Sequence, residues 1–217
     1  MRIALLGPPG SGKGTQAATI CQAFDLVHLA SGDILRAEKA SGSPLGQRIR
    51  EFIDNGLLVP DELMLDIIKD KITHLPRGFV LDGFPRTLPQ AKALNAMLFE
   101  MDRPLNLILN FVVNPKVLAR RFEGRRVCPV CLSVYHLDAK PPRVPGLCDN
   151  DQSPLIIRDD DKPDVVAKRI ATYQETMAPL IAYFAQLGNF KTLDASAPIS
   201  EVSQHVLDKI RRHFDEE

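Results

Sequence analysis

Short apolar runs alternate along this chain with segments whose apolar residues return every three or four positions. Ile3-Ala4-Leu5-Leu6 reads as a strand buried on both faces. Beyond Gly12, the residues Ala17, Ile20, Cys21 and Phe24 fall at i, i+3, i+4 and i+7, one face of a helix. Leu26–Leu29, Gly78–Leu81, Leu107–Val112 and Phe190–Leu193 are further strand candidates. Between them the pattern predicts helices at Asp61–Thr73 (Met64, Ile67, Ile68, Ile72) and Pro163–Gln186 (Val166, Ile170, Tyr173, Met177). A last helix starts near Ser200, with Val202, Val206 and Ile210 on its inner face. Strand alternating with helix implies βαβ units, hence a parallel sheet covered by helices on both sides.

Two segments break the rhythm. Residues 31–59 carry helical patches interrupted by Gly42-Ser43-Pro44 and Asn55-Gly56. Residues 125–162 hold Pro129, Pro141, Pro142, Pro145 and Pro154 and show no helical periodicity, which excludes them from the sheet core. The second segment reads as an inserted subdomain too small to fold on apolar burial alone.

Composition narrows the class. The 217 residues are 45% hydrophobic and 25% charged, the balance of an ordinary globular domain. No apolar run reaches the roughly 20 residues of a membrane span, and the start leads directly into a strand rather than a secretory leader. Lys+Arg and Asp+Glu are both 27, so the basic excess that general nucleic-acid binding requires is missing. Three of the four cysteines crowd into residues 128–148, which argues against an evenly spread disulfide framework and for a metal site.

Gly7-Pro-Pro-Gly10-Ser11-Gly12-Lys13-Gly14-Thr15 follows the first strand and opens the first helix. In that context G-x-x-x-x-G-K is a phosphate loop: backbone N–H groups converge on phosphate oxygens, the helix N-terminus adds positive potential, and Lys13 reaches the β- and γ-phosphates. Gly14 departs from the general pattern, which has Ser or Thr there for Mg²⁺. ATP or GTP binding follows; the reaction does not. Asp82-Gly-Phe-Pro-Arg86-Thr87 lies at the carboxyl edge of the third strand, where open parallel sheets bind ligands. There Asp82 can hold Mg²⁺ through water and Arg86 can grip a phosphate. Arg36, Arg121, Arg125, Arg158 and Arg169 are the other candidate phosphate ligands. Arg121 and Arg125, four apart, are expected on one face of a helix end.

Together these residues resemble the adenylate kinase family, in its long bacterial form with a large lid. The resemblance runs nearly end to end: Gly7–Thr15, Ser31-Gly-Asp-Ile-Leu-Arg36, Leu81–Thr87 with Gln90, Gly124-Arg-Arg-Val127, Arg158-Asp-Asp-Asp161 and Lys168-Arg169. It implies an α/β fold with a five-stranded P-loop core (1–29, 60–124, 163–217), an AMP-binding arm (30–59) and a lid (125–162). It implies the reaction ATP + AMP ⇌ 2 ADP in the cytoplasm, by a monomer that uses Mg²⁺ with ATP and engages neither nucleic acid nor membrane.

Carried over residue by residue, Lys13, Arg86, Arg125, Arg158 and Arg169 are the expected catalytic groups. Gly10, Ser11, Gly12, Lys13, Gly14, Thr15, Arg121, Arg125, Ser133, Val134, Tyr135 and Ala197 are expected on ATP. Ser31, Arg36, Leu57, Leu58, Val59, Gly83, Phe84, Pro85, Arg86, Gln90, Arg158 and Arg169 are expected on AMP. Ser31 stands where Thr is common in the family, and Leu193-Asp-Ala195 replaces the usual Val-Asp-Gly, so the transfer to Ala197 is the weakest. Two other readings remain: a kinase for UMP or CMP, and a nucleic-acid ATPase with a zinc ribbon.

Cys128-x2-Cys131, sixteen residues, then Cys148-x2-Asp151 has the spacing of a closed tetrahedral zinc site with one carboxylate ligand. Zinc-bearing lids occur in the resembled family, some with Asp as the fourth ligand. Asp149 and His136 are the other available fourth ligands, and packed free thiols or a disulfide are the metal-free alternatives. Cys21 reads as a core residue.

Overall fold

A computed structural model describes residues 1–55 and 57–215. Gly56, half of the expected Asn55-Gly56 break, and residues 216–217 of the expected core lie outside the described residues. Strand β1 (Arg2–Leu6) leads into α1 (Lys13–Phe24), β2 (Val27–Ala30), α2 (Ser31–Ser41), α3 (Pro44–Asp54) and α4 (Asp61–Thr73). Then come β3 (Phe79–Asp82), α5 (Leu88–Glu100), β4 (Leu107–Val112) and α6 (Pro115–Gly124). A small lobe follows, with β5 (Arg125–Val127), β6 (Val134–His136) and a 3₁₀ turn at Asp159–Asp161. The chain ends with α7 (Pro163–Ala185), β7 (Phe190–Asp194) and α8 (Ile199–Asp215).

The five expected strands form one sheet in the order β2-β3-β1-β4-β7, every neighbour parallel. Alternation along β1 decides how it is covered. Ala4 and Leu6 pack with Met64 and Ile68 of α4, Leu94 of α5 and Leu180 of α7. Ile3 and Leu5 point to the other face, against Ala17 and Ile20 of α1, Phe122 of α6 and Val206 of α8. Both faces are dry, as a parallel sheet requires, and each fully buried Leu or Ile stabilises the fold by roughly 1.5–3 kcal/mol.

The inner face of α7 differs from the expected stripe. Its buried residues are Val165, Met177, Leu180 and Phe184, while Val166, Ile170 and Tyr173 are only partly covered. Val166 and Ile170 pack at the edge of the cluster that α1, α6 and α8 cover, while Tyr173 lines the cleft. Cys21 is likewise half-buried, with its thiol pushed up to about 11 by burial. Arg121 and Arg125 do not share a helix face: α6 stops at Gly124, and Arg125 is already extended as the first residue of β5. No helix among the described residues is long and apolar enough to cross a membrane.

Candidate active site

Three parallel strands aim the chemistry. β1 and β3 are neighbours, with Leu5 opposite Asp82, so the loops leaving their carboxyl ends meet. The phosphate loop enters α1 through Gly12, whose φ of 94° is a left-handed conformation natural only to glycine. Gly12 has no capping side chain and the first turn of α1 has no acid, so the helix amides and dipole face the cleft uncompensated. Lys13 Nζ donates to the carbonyls of Gly7 (2.8 Å) and Pro8 (2.9 Å) and to Ser11 Oγ (3.3 Å), which holds the ammonium inside the loop. Burial lowers Lys13 to about 8, with Arg86, Arg169 and Arg125 adding to the effect and Asp82 opposing it.

Gly14 lies close to Asp82: a Cβ there would be 3.2 Å from Asp82 Oδ2, a tight contact that the carboxylate would have to ease by a few tenths of an ångström. His28 of β2 reaches the same oxygen at 3.3 Å. Burial alone would raise Asp82; the hydrogen bond to His28 and the charge of Lys13 outweigh it and hold the carboxyl below its ordinary range. Asp82 is thus an ionised oxygen donor beside the phosphate loop, which fits a hydrated Mg²⁺.

Arg86 follows β3. Its Nε donates to the Gly83 carbonyl (2.5 Å) and one terminal nitrogen to Ser31 Oγ (3.4 Å), which fixes the guanidinium at the cleft wall. Burial first, then the nearby Arg169, lower Arg86 to about 10. Arg36 on α2 pairs with Asp33 (2.5 Å) and with Asp160 of the lobe (3.3 Å). Arg125 pairs with Asp161 (3.1 Å) and lies over the Phe122 ring, and Arg158 approaches Asp33 (3.7 Å). Arg169 donates to the Asp160 carbonyl (2.7 Å) and reaches the carboxylates of Asp160 (3.1 Å) and Asp161 (3.4 Å).

These groups line one cleft of about 270 Å³. Six cations (Lys13, Arg36, Arg86, Arg125, Arg158, Arg169) face three carboxylates (Asp33, Asp82, Asp160), so the lining is net positive and suited to a polyanion. Gly10, Gly12, Gly14, Thr15, Ser31, Leu57, Leu58, Val59, Gly83, Phe84, Pro85, Gln90 and Val134 line it too, as the sequence led one to expect.

Ser11, Arg121, Ser133, Tyr135 and Ala197 are not part of that lining. Arg121 instead ties Ser11 O (2.9 Å) to Ala195 O (2.7 Å) and Ala197 O (3.2 Å), joining the phosphate loop to the segment after β7. Tyr135 is 4% exposed in the lobe's interior, its hydroxyl accepting from Asp149 N at 2.8 Å. Ser133 lies beside Cys131 Sγ (3.2 Å) and accepts from Asn150. Sequence reasoning assigned no role to Asp33, Asp160, Asp161 or His28. The Asp159–Asp161 run was visible, but pairing with arginines from three elements is a property of the fold.

In the lobe, Cys128, Cys131, Cys148 and Asp151 bring their ligand atoms within 4.8 Å of one another. Backbone N–H groups of Val130 and Cys131 point at Cys128 Sγ (both 3.3 Å) and that of Asn150 at Cys148 Sγ (3.4 Å), which favours thiolates. The alternative fourth ligands are engaged elsewhere. His136 Nδ1 accepts from Asp138 N and Ala139 N, and Asp149 accepts from Arg143 N. Three sulfurs and a carboxylate with N–H support suit tetrahedral Zn²⁺.

Fold and cleft are those of a P-loop phosphotransferase: a parallel sheet, a phosphate loop on its carboxyl edge, and arginines converging from separate elements. Comparison with known proteins narrows this further. The adenylate kinase family model matches residues 5–189. Adenylate kinases of Acetivibrio thermocellus and Finegoldia magna are 42% and 41% identical over 97% and 98% of this chain, covering 98% and 100% of their own lengths. That of Staphylococcus aureus (strain Mu50) is 40% identical over 96% of this chain and 98% of its own. The chain belongs to the adenylate kinase family.

Proposed function

We propose that the cleft transfers the γ-phosphoryl group of Mg-ATP to AMP, reversibly, giving two ADP. The observation that carries this is the meeting of six cations from six separate stretches of chain around one cleft. Such a cleft neutralises two phosphate chains at once. The attacking oxygen of AMP is already anionic and needs no strong base; repulsion is the barrier, and positioned positive charge removes it. Lys13 and the amides of Gly10–Thr15 hold the β- and γ-phosphates of ATP. Arg36 and Arg86 hold the AMP phosphate, and Arg125, Arg158 and Arg169 close on the group in flight. Mg²⁺, held through water by Asp82, would supply charge neutralisation on the ATP phosphates.

AMP's adenine lies against Leu57, Leu58 and Val59, with Gln90 at its edge. ATP's adenine lies outside the phosphate loop, flanked by Arg121, Ala197 and the lobe's Ser133–Tyr135 stretch, of which Val134 fronts the cleft. Residues 30–59 act as an arm over AMP and 125–162 as a lid over ATP. Arg36–Asp160 and Arg158–Asp33 support this, because they join the two segments across the cleft. Closure excludes water, which would otherwise hydrolyse ATP. Cys128, Cys131, Cys148 and Asp151 would hold a Zn²⁺ that serves structure by fastening the lobe.

The reading is of a monomer that acts on small nucleotides. Free cysteines suit the reducing cytoplasm. ADP formation from Mg-ATP with AMP, UMP, CMP and GMP in turn tests the reading. AMP is expected to be the best acceptor by at least about tenfold; equal rates with UMP or CMP would overturn it.

A further inference from the structure

Gln90 is 3% exposed, and its amide has to choose an orientation. The Arg86 backbone N–H, a donor only, points at Oε1 from 2.7 Å. On the other side Asp61 Oδ1, an acceptor only, takes a hydrogen from Nε2 at 2.7 Å. Reversing the amide would set donor against donor and acceptor against acceptor. The second Asp61 oxygen accepts from Thr87 Oγ1 at 3.0 Å, and Thr87 Oγ1 accepts the Gln90 N–H at 3.2 Å as the N-cap of α5. Asp61 thus grips both the amide and the turn that carries it. It opens α4 just beyond Leu57–Val59, and unlike Gln90 it does not line the cleft.

With the amide fixed, Gln90 has one N–H and one oxygen lone pair left for a ligand. A 6-aminopurine offers an amino donor at C6 and an acceptor at N1; a 6-oxopurine reverses both. A locked amide matches the first and opposes the second, whereas an amide free to turn over accepts either. We propose that Asp61 is a positioning residue that sets base selectivity by locking the Gln90 amide. This rests on the reading that Gln90 contacts the AMP base.

The test compares kcat/KM for AMP and for inosine monophosphate, which differs from AMP only by the 6-oxo group and its N1 proton. Asp61→Ala is expected to raise KM for AMP and to lower the AMP-to-inosine-monophosphate ratio by about tenfold, with KM for ATP unchanged. Asp61→Asn, which can present either an oxygen or an amino group, falls between native and Ala. It carries the test if the Ala variant fails to fold. A native ratio in the folded Asp61 variants overturns the proposal. Gln90→Ala separates the two layers. If it too keeps the native ratio, the contact between Gln90 and the base is what fails; if it loses the ratio while the Asp61 variants keep it, only the lock fails.

Discussion

The sheet core and the cysteine lobe face one another across the cleft and are held by different forces. In the core, β1, β3 and β4 bury both faces, and the clusters on either side take buried side chains from α1, α4, α5, α6, α7 and α8. In the lobe, the buried apolar cluster is Cys128, Tyr135 and Cys148 with Leu155 at its edge, while Val130, Leu132, Leu137, Ile156 and Ile157 are exposed. A segment of about forty residues cannot stand on so little burial and needs a staple. The core fixes Lys13, Asp82 and Arg86 with the rigidity of a close-packed sheet edge. The lobe brings Arg125 and Arg158 to the same cleft. On the function proposed above, a zinc staple would let this lobe close over a substrate as one piece.

The largest expected effect falls on the core side alone. Arg86→Ala should lower kcat/KM for AMP by about 10³-fold, since it removes a preorganised charge at the transferring group. The same variant should melt within about 3 °C of the native protein, because Arg86 is held in the fold against burial and the charge of Arg169. Steady-state rates and a thermal melt together check this. An unchanged rate would remove Arg86 from the reaction.

A change on the lobe side should do the reverse. Cys148→Ser, or removal of the metal by chelation, should open residues 125–162 to proteases and lower activity through a disordered lid, while the sheet core keeps its main melting transition. Metal content and limited proteolysis decide it. An intact lobe with well under one equivalent of zinc would show that packed thiols suffice.

The smallest effect is a proton. Lys13 titrates near about 8 in the free protein, and a phosphate beside Nζ favours the charged form. Above that pH the complex holds a proton the free protein has lost. Lys13 should therefore make nucleotide binding take up a fraction of a proton around pH 8 to 9, and affinity should fall as pH rises through about 8. Calorimetry in buffers of different ionisation enthalpy measures the uptake; its absence would place Lys13 away from phosphate.

How far the sequence could be read follows the same division. The core was legible because apolar runs and helical periods are local, and because the phosphate loop packs its chemistry into nine consecutive residues. Strand ends shifted by a residue, with Asp82 inside β3 and Asp194 inside β7, since pairing to a neighbour sets a strand's end. The cysteine spacing pointed to the lobe's site and favoured Asp151, and the structure groups Asp151 with the three sulfurs while Asp149 and His136 have other partners. What Arg121 and Tyr135 touch within the protein left no mark in the sequence. Their partners, Ser11, Ala195 and Ala197 for one and Asp149 for the other, are defined by tertiary packing and leave no periodic trace. The same holds for Asp160, whose arginines come from α2 and α7.

The central claim, transfer to a nucleotide in a cleft closed to water, is tested most directly by following the γ-phosphate itself. With ATP labelled at the γ-position and an equal amount of AMP, the label should appear at the β-position of newly formed ADP, with two ADP made per ATP consumed and little inorganic phosphate. Label released mainly as inorganic phosphate, at a rate indifferent to AMP, would contradict the account.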